Sequence, residues 1–302
     1  MITLIPQQDI LATEDFSVMV IDSDTNQPAC ISQVNDDISW NDVVDVINRY
    51  NCRGISIDLE DDDISLSLSE TNGRLAKASF RIHGNNCSVD FSGGEKIIEL
   101  EIQSDSEFNI TGEDNLVCLK ILSTLYPSIP TGLLAHSGIV DLSLFNYKSN
   151  DLFPLAGLSS LNKLSFHFGS LGSICGISKL KCMETLHINR VRGVIDFSSL
   201  IQMDRVRNLI VEKYRYITNW DFLGGLENLQ HLHLQEADSI LFTLNLKRLV
   251  FFYCGKVLDG NRSPELVIEE RRKSLGVEGL PYGFRPIIED VYNYQCDRTN
   301  TY

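Results

Sequence analysis

The chain lacks the signatures by which most chemistries declare themselves. It contains no HExxH, no G-x-S-x-G elbow and no H-x-E followed by paired cysteines. GGEK at 93–96 falls short of a phosphate loop, because the GxxxxGK[ST] spacing is missing and isoleucine follows the lysine. There is no CxxC pair. The eight cysteines, at 30, 52, 87, 118, 175, 182, 254 and 296, sit mostly in apolar surroundings such as LVCLK and FFYCG. That usage reads as buried free thiols in a reducing compartment rather than a disulfide framework. No apolar run reaches the roughly 20 residues that span a bilayer. The amino terminus, MITLIPQQDILATEDF, has no basic region ahead of an apolar stretch, which argues against a signal peptide. The expected location is the cytoplasm.

Cations are scarce in one half only. Residues 1–130 carry 23 acidic and 7 basic side chains, a formal −16, whereas residues 131–302 carry 18 and 19, a formal +1. The net −15 therefore comes from the first half. Such a field repels nucleic-acid backbones and anionic membranes and steers a basic partner. The run Glu60-Asp61-Asp62-Asp63 concentrates it. Consecutive carboxylates in an extended segment point to opposite faces, and EF-hand spacing is missing, so the run reads as a solvated turn. It is also a candidate contact for lysines and arginines on a partner.

What the sequence does contain is a repeat. IVDLSLF (139–145), LNKLSFH (161–167), METLHIN (183–189), VRNLIVE (206–212) and LQHLHLQ (229–235) share an L-x-x-L-x-L pattern. Their central leucines, 142, 164, 186, 209 and 232, stand at intervals of 22, 22, 23 and 23, and LKRLVFF supplies a sixth centred on Leu249 after 17. Ahead of each strand the apolar positions continue in threes, as in Leu155, Leu158 and Leu161 before Leu164. That spacing predicts a tight 3₁₀ return, since residues three apart eclipse there. The pattern resembles the bacterial leucine-rich-repeat family over residues 133–254. The family's asparagine ladder is absent, its positions being held by Tyr147, Gly169, Val191, Tyr214 and Ala237. The resemblance implies a stacked solenoid that binds another macromolecule through its concave face.

Strand alternation places three columns on that face. They are Asp141, Lys163, Thr185, Asn208 and His231; Ser143, Ser165, His187, Ile210 and His233; and Phe145, His167, Asn189, Glu212 and Gln235. Four of the chain's six histidines lie among them. His187 and His167 stand two and three repeats from the His231–His233 strand, roughly 10 and 15 Å away, too far to converge on one ion. No metal site and no cofactor is expected.

Outside the repeat, a helix is expected over 40–50, with Ser39 and Asp42 as a capping box. Strands are expected at 54–59, 63–69, 77–83 and 96–103, with Asn72-Gly73 as a hairpin turn, and a second helix over 113–125. A tail helix is expected over 263–275, opened by Ser263-Pro264-Glu265 and closed by Gly276. The resulting expectation is an α/β leucine-rich-repeat solenoid (131–256) preceded by a smaller acidic α+β domain (1–130), with 257–302 as a helical and irregular cap. Functionally it is a non-catalytic protein-binding protein with a basic protein partner, and neither nucleic acid nor membrane. In its specific form it is an immunity protein or antitoxin occupying a basic toxin domain. The alternatives are an effector or adaptor that recruits a host protein, and an enzyme with its site in residues 1–130.

Overall fold

A computed structural model describes residues 3–4, 11–13, 16–22, 28–34, 40–50, 54–60, 63–71, 77–83, 86–90, 99–104, 108–112, 118–123, 132–133, 138–193, 196–213, 220–237, 241–257 and 273. Met1–Pro264 form one unit and Glu265–Tyr302 another. The first unit begins with β1 (Thr3–Leu4), β2 (Leu11–Thr13), β3 (Phe16–Asp22) and β4 (Pro28–Val34). β3 is antiparallel to each of the other three. Helix α1 (Trp40–Tyr50) follows, where the sequence predicts it, and buries Val44 and Ile47. Its first residue sets an indole against Phe80 at 6.1 Å and donates to the Ser67 carbonyl.

From here the chain alternates between two ladders. β5 (Gly54–Glu60), β7 (Lys77–His83), β9 (Glu99–Ser104) and β11 (Cys118–Ser123) are parallel neighbours, and β4 pairs with β5 in the same sense. Between them β6 (Asp63–Ser67), β8 (Asn86–Asp90) and β10 (Phe108–Thr111) make a second parallel sheet. The first ladder then runs on through β12 (Asp141–Phe145), β14 (Lys163–His167), β16 (Thr185–Asn189), β17 (Asn208–Glu212), β18 (His231–Ala237) and β19 (Phe251–Val257). Two-residue strands β13 (Lys148–Ser149) and β15 (Ser170–Leu171) pair beside it.

Register explains the spacing. Ile55, Ala78, Leu100, Leu119, Leu142, Leu164, Leu186, Leu209, Leu232 and Phe252 occupy one position across ten strands. From Leu142 to Leu232 these side chains are wholly buried. Each such burial removes enough apolar surface to stabilise the fold by about 1.5–3 kcal/mol. On the return legs the leucines spaced by three bond as 3₁₀ turns. Leu158 N–H donates to Leu155 and Leu161 N–H to Leu158, and the same arrangement recurs at Leu180, Met183, Leu226 and Leu229.

The missing asparagine ladder has a replacement at the strand exits. Asn146, Phe168, Arg190 and Lys213 each follow the last strand residue, and all four have positive φ, between 51° and 62°. This left-handed kink turns the chain, and the freed N–H reaches the next repeat. Asn146 donates to the His167 carbonyl, Phe168 to Asn189, Arg190 to Glu212, and Lys213 to the Gln235 side chain. Backbone bonds thus satisfy most of what a ladder of side-chain amides would satisfy. Further round, Asp151, Ser173 and Asp196 each accept from the N–H two residues on, a local side-chain turn that leads into the return leg.

Four sequence expectations change. The helix over 113–125 is not formed: Cys118–Ser123 is strand β11, and pairing with β9 and β12 overrides the helical spacing of Leu119 and Leu122. Asn72-Gly73 lies outside the described residues, but the strands around it join different sheets, so they do not form a hairpin. The division at residue 130 is not a break in the ladder, since β11 pairs with β12 across it. The sixth unit is centred on Phe252 rather than Leu249, an interval of 20 from Leu232, because Leu249 ends the return leg as Leu229 does in the unit before. Ser39 lies outside the described residues, and within the expected tail helix only Lys273 is described, helical and exposed.

Candidate functional site

The three expected columns exist, side by side on the face of the ladder opposite the leucines. Their accessibility is uneven. Ser165, Thr185 and His187 are buried, at 2%, 1% and 4% exposure, while Gln235 is exposed and the others are half-buried. A partner resting on this face meets its flanks before its centre. Glu60 closes β5 and Asp63 opens β6, and Asp61 and Asp62 lie outside the described residues.

The columns are largely spent on one another. In the first, Lys163 Nζ pairs with Asp141 Oδ2 at 2.9 Å. Asn208 then links two repeats: its Nδ2 donates to Thr185 Oγ1 at 2.9 Å, and its Oδ1 lies 2.7 Å from His231 Nδ1. The second and third columns interlock diagonally. Phe145 stacks on His167 at 4.5 Å, and His167 meets His187 edge-on at 4.9 Å. His187 Nε2 lies 3.3 Å from Glu212 Oε2, and His233 Nε2 lies 3.9 Å from the other oxygen. His233 in turn meets Tyr253 at 4.6 Å. Six side chains from six successive strands thus form one line, with a single carboxylate between two imidazoles at its centre. Next to it, Asn189 Oδ1 is buried without a hydrogen-bond partner.

The electrostatics follow from that packing. The hydrogen bond from His187 holds the Glu212 carboxyl below its ordinary value; burial opposes it, and the charges of His187, His233 and Lys213 add to the lowering. Burial pushes His231 and His233 down, the latter against the pull of Glu212. Near neutral pH this gives neutral His231 and His233 beside an ionised Glu212. Among the described residues no group of three or more His, Cys, Asp and Glu side chains is placed to hold a metal ion.

Sequence reasoning found the columns but missed the line through them. Glu212 was one of fifteen positions, with no sign that it bridges two histidines 25 residues back and 21 residues on. Phe251 and Tyr253 were missed because the sixth unit was read three residues early. The spacing of threes, Leu246, Leu249, Phe252, was the signal that places them.

Three solved bacterial proteins have a similar course. An internalin from Listeria monocytogenes aligns at TM-score 0.48 and 14% identity, over 76% of this chain and 74% of that one. A leucine-rich-repeat protein of Leptospira interrogans aligns at 0.40 and 14%, over 78% and 74%. A second Listeria monocytogenes internalin, C2, aligns at 0.36 and 14%, over 78% and 87%. No protein-family model and no curated protein matches the sequence. The architecture rests on strand register and the buried columns, to which these distant likenesses add no weight. Among the described residues no helix is long and apolar enough to cross a membrane.

Proposed function

We propose that this is a non-catalytic protein-binding protein whose outward ladder face is the docking surface. The line from Phe145 to Tyr253 carries the reading: rings stand half-exposed at both ends, with the buried His187 and half-buried Glu212 paired between them. Rigid aromatic and imidazole groups give contact area at little entropic cost, which suits them to interface anchors. In its specific form the partner is a basic toxin domain, bound in the cytoplasm by an immunity protein or antitoxin. The formal −16 over residues 1–130 supports that version, by steering a cationic partner.

The test begins with co-purification from the native cell, followed by calorimetry with the purified partner. A 1:1 complex is expected. Phe145→Ala with Tyr253→Ala should weaken it at least tenfold, and Glu60→Lys with Asp63→Lys should slow association at low salt. An affinity indifferent to the ring substitutions removes the outward face as the docking surface. A partner without a basic face removes the toxin-inhibitor version.

A further inference from the structure

The strand exits carry a feature that neither the columns nor the acidic first half accounts for. In the units of Asn146 and Arg190 the left-handed residue and the residue two further on flank one that is turned in, since Tyr147 and Val191 are buried. The left-handed positions are Asn146, Phe168, Arg190 and Lys213. The second positions are Lys148, Ser170 and Arg192, in register by pairing. Lys148, Arg190, Arg192 and Lys213 are all exposed, and so is Phe168, at 46%, with the Arg190 guanidinium 5.5 Å from its ring. Four cations and one aromatic therefore crowd a rim three repeats long, roughly 15 Å.

Among the described residues, the carboxylates nearby also hold other partners, and Glu212 is the one whose charge reaches Lys213. Glu212 lies between His187 and His233, Asp151 accepts from the Phe153 N–H, and Asp196 from the Ser198 N–H. In a chain of net charge −15, four exposed cations gathered on one rim make a local surface of the opposite sign.

We infer that this rim docks a short acidic, extended segment of a partner protein. Length decides between this and a nucleic acid. Four or five residues of extended peptide cover about 15 Å at 3.3–3.4 Å each, so a short run of Asp and Glu matches the rim end to end. A nucleic-acid strand would not stop there. Four strands toward the amino terminus, about 19 Å along the ladder from β12, the exit of β5 is Glu60, and Asp63 opens the next strand. A polyanion following the ladder runs into that charge. Phe168 adds an apolar contact for a side chain of the docked segment. The inference goes beyond the docking surface proposed above and does not depend on it.

Fluorescence anisotropy on the full chain tests it with three labelled probes: an octapeptide alternating Glu and Phe, its Lys and Phe counterpart, and a 12-nucleotide oligothymidylate. The acidic peptide is expected to bind, at least tenfold more weakly when salt rises from 50 to 300 mM. Arg190→Glu with Arg192→Glu should lower its affinity at least tenfold, and Phe168→Ala severalfold, with an unchanged circular dichroism melt showing an intact fold. Equal binding of the two peptides, tighter binding of the oligothymidylate, or indifference to the charge reversal overturns the inference. So does self-association of the free protein that the same reversal abolishes, since the occupant would then be a second copy.

Discussion

The two stretches of the ladder, β5 to β11 and β12 to β19, solve the same stacking problem with different return legs. In the second stretch the chain comes back through 3₁₀ turns packed with leucine every third residue. In the first it comes back mainly through a second parallel strand, whose buried column is Leu66, Val89 and Ile110, with one 3₁₀ turn at Leu68–Thr71. The repeat length hardly changes: the aligned positions Ile55, Ala78, Leu100, Leu119 and Leu142 are 23, 22, 19 and 23 apart. What differs is how loudly the return leg announces itself. A 3₁₀ leg needs a large apolar residue at every third position, whereas a strand needs only alternation and accepts isoleucine, valine and alanine.

That comparison predicts one cooperative ladder, and the largest effect should come from breaking it upstream. Phe80 is buried in β7, and Phe80→Ala should cost about 3–5 kcal/mol. If the stretches share one fold, hydrogen exchange at β14 and β16 should accelerate with it. Protection there that stays unchanged would mean two independent units meeting at β11 and β12.

Corner geometry sharpens the contrast next. Gly169 has φ of 77°, and an added Cβ would lie 2.1 Å from the Tyr147 carbonyl oxygen. Gly169→Ala is therefore expected to destabilise by about 1–3 kcal/mol or more, read as a shift in the urea midpoint. A shift near zero would mean that the corner opens without cost.

Acid should act on the second stretch, which carries His231 and His233. Their folded values lie below the ordinary 6.5, so between those values and 6.5 the unfolded chain binds the extra protons. Stability should fall as pH drops below about 6.5, by at most about 1.4 kcal/mol per pH unit for each histidine. Glu212, held below its ordinary 4.5, adds a further loss as pH falls through its folded value. Melting curves from pH 8 to 4 measure the slope. His231→Asn should flatten it in the histidine range, and an unchanged slope there would contradict the burial of that ring.

The smallest effect is a gain. Lys213 holds a left-handed φ of 51° on an exposed corner. Lys213→Gly should relieve that strain and stabilise by about 0.5–1 kcal/mol, net of glycine's greater freedom in the unfolded chain.

Legibility followed the same divide. The downstream strands, their intervals and the inward and outward alternation could be read directly, because leucine at fixed spacing has few other uses. Upstream, β5, β6, β7 and β9 are legible singly but not as members of the ladder, since Ala78 stands in register with Ile55 and Leu100, and Phe80 with Ile57 and Ile102, too varied in size to look like a repeat. The columns were legible and their mutual engagement was not. Whether Glu212 faces a partner or two histidines depends on diagonal neighbours, which a one-dimensional spacing does not encode.

The left-handed corners have a consequence for how the chain can be edited. Each leaves its strand with the same twist, and the first three pass their N–H to the strand-end carbonyl of the following unit. A stretch cut from one corner to the next, such as residues 168–189, is therefore an interchangeable cassette: excising it joins His167 to Arg190 through a kink of the same hand. Editing by whole cassettes should therefore keep the ladder, while an insertion of one residue inside a strand turns the rest of that strand's inward side chains to the other face.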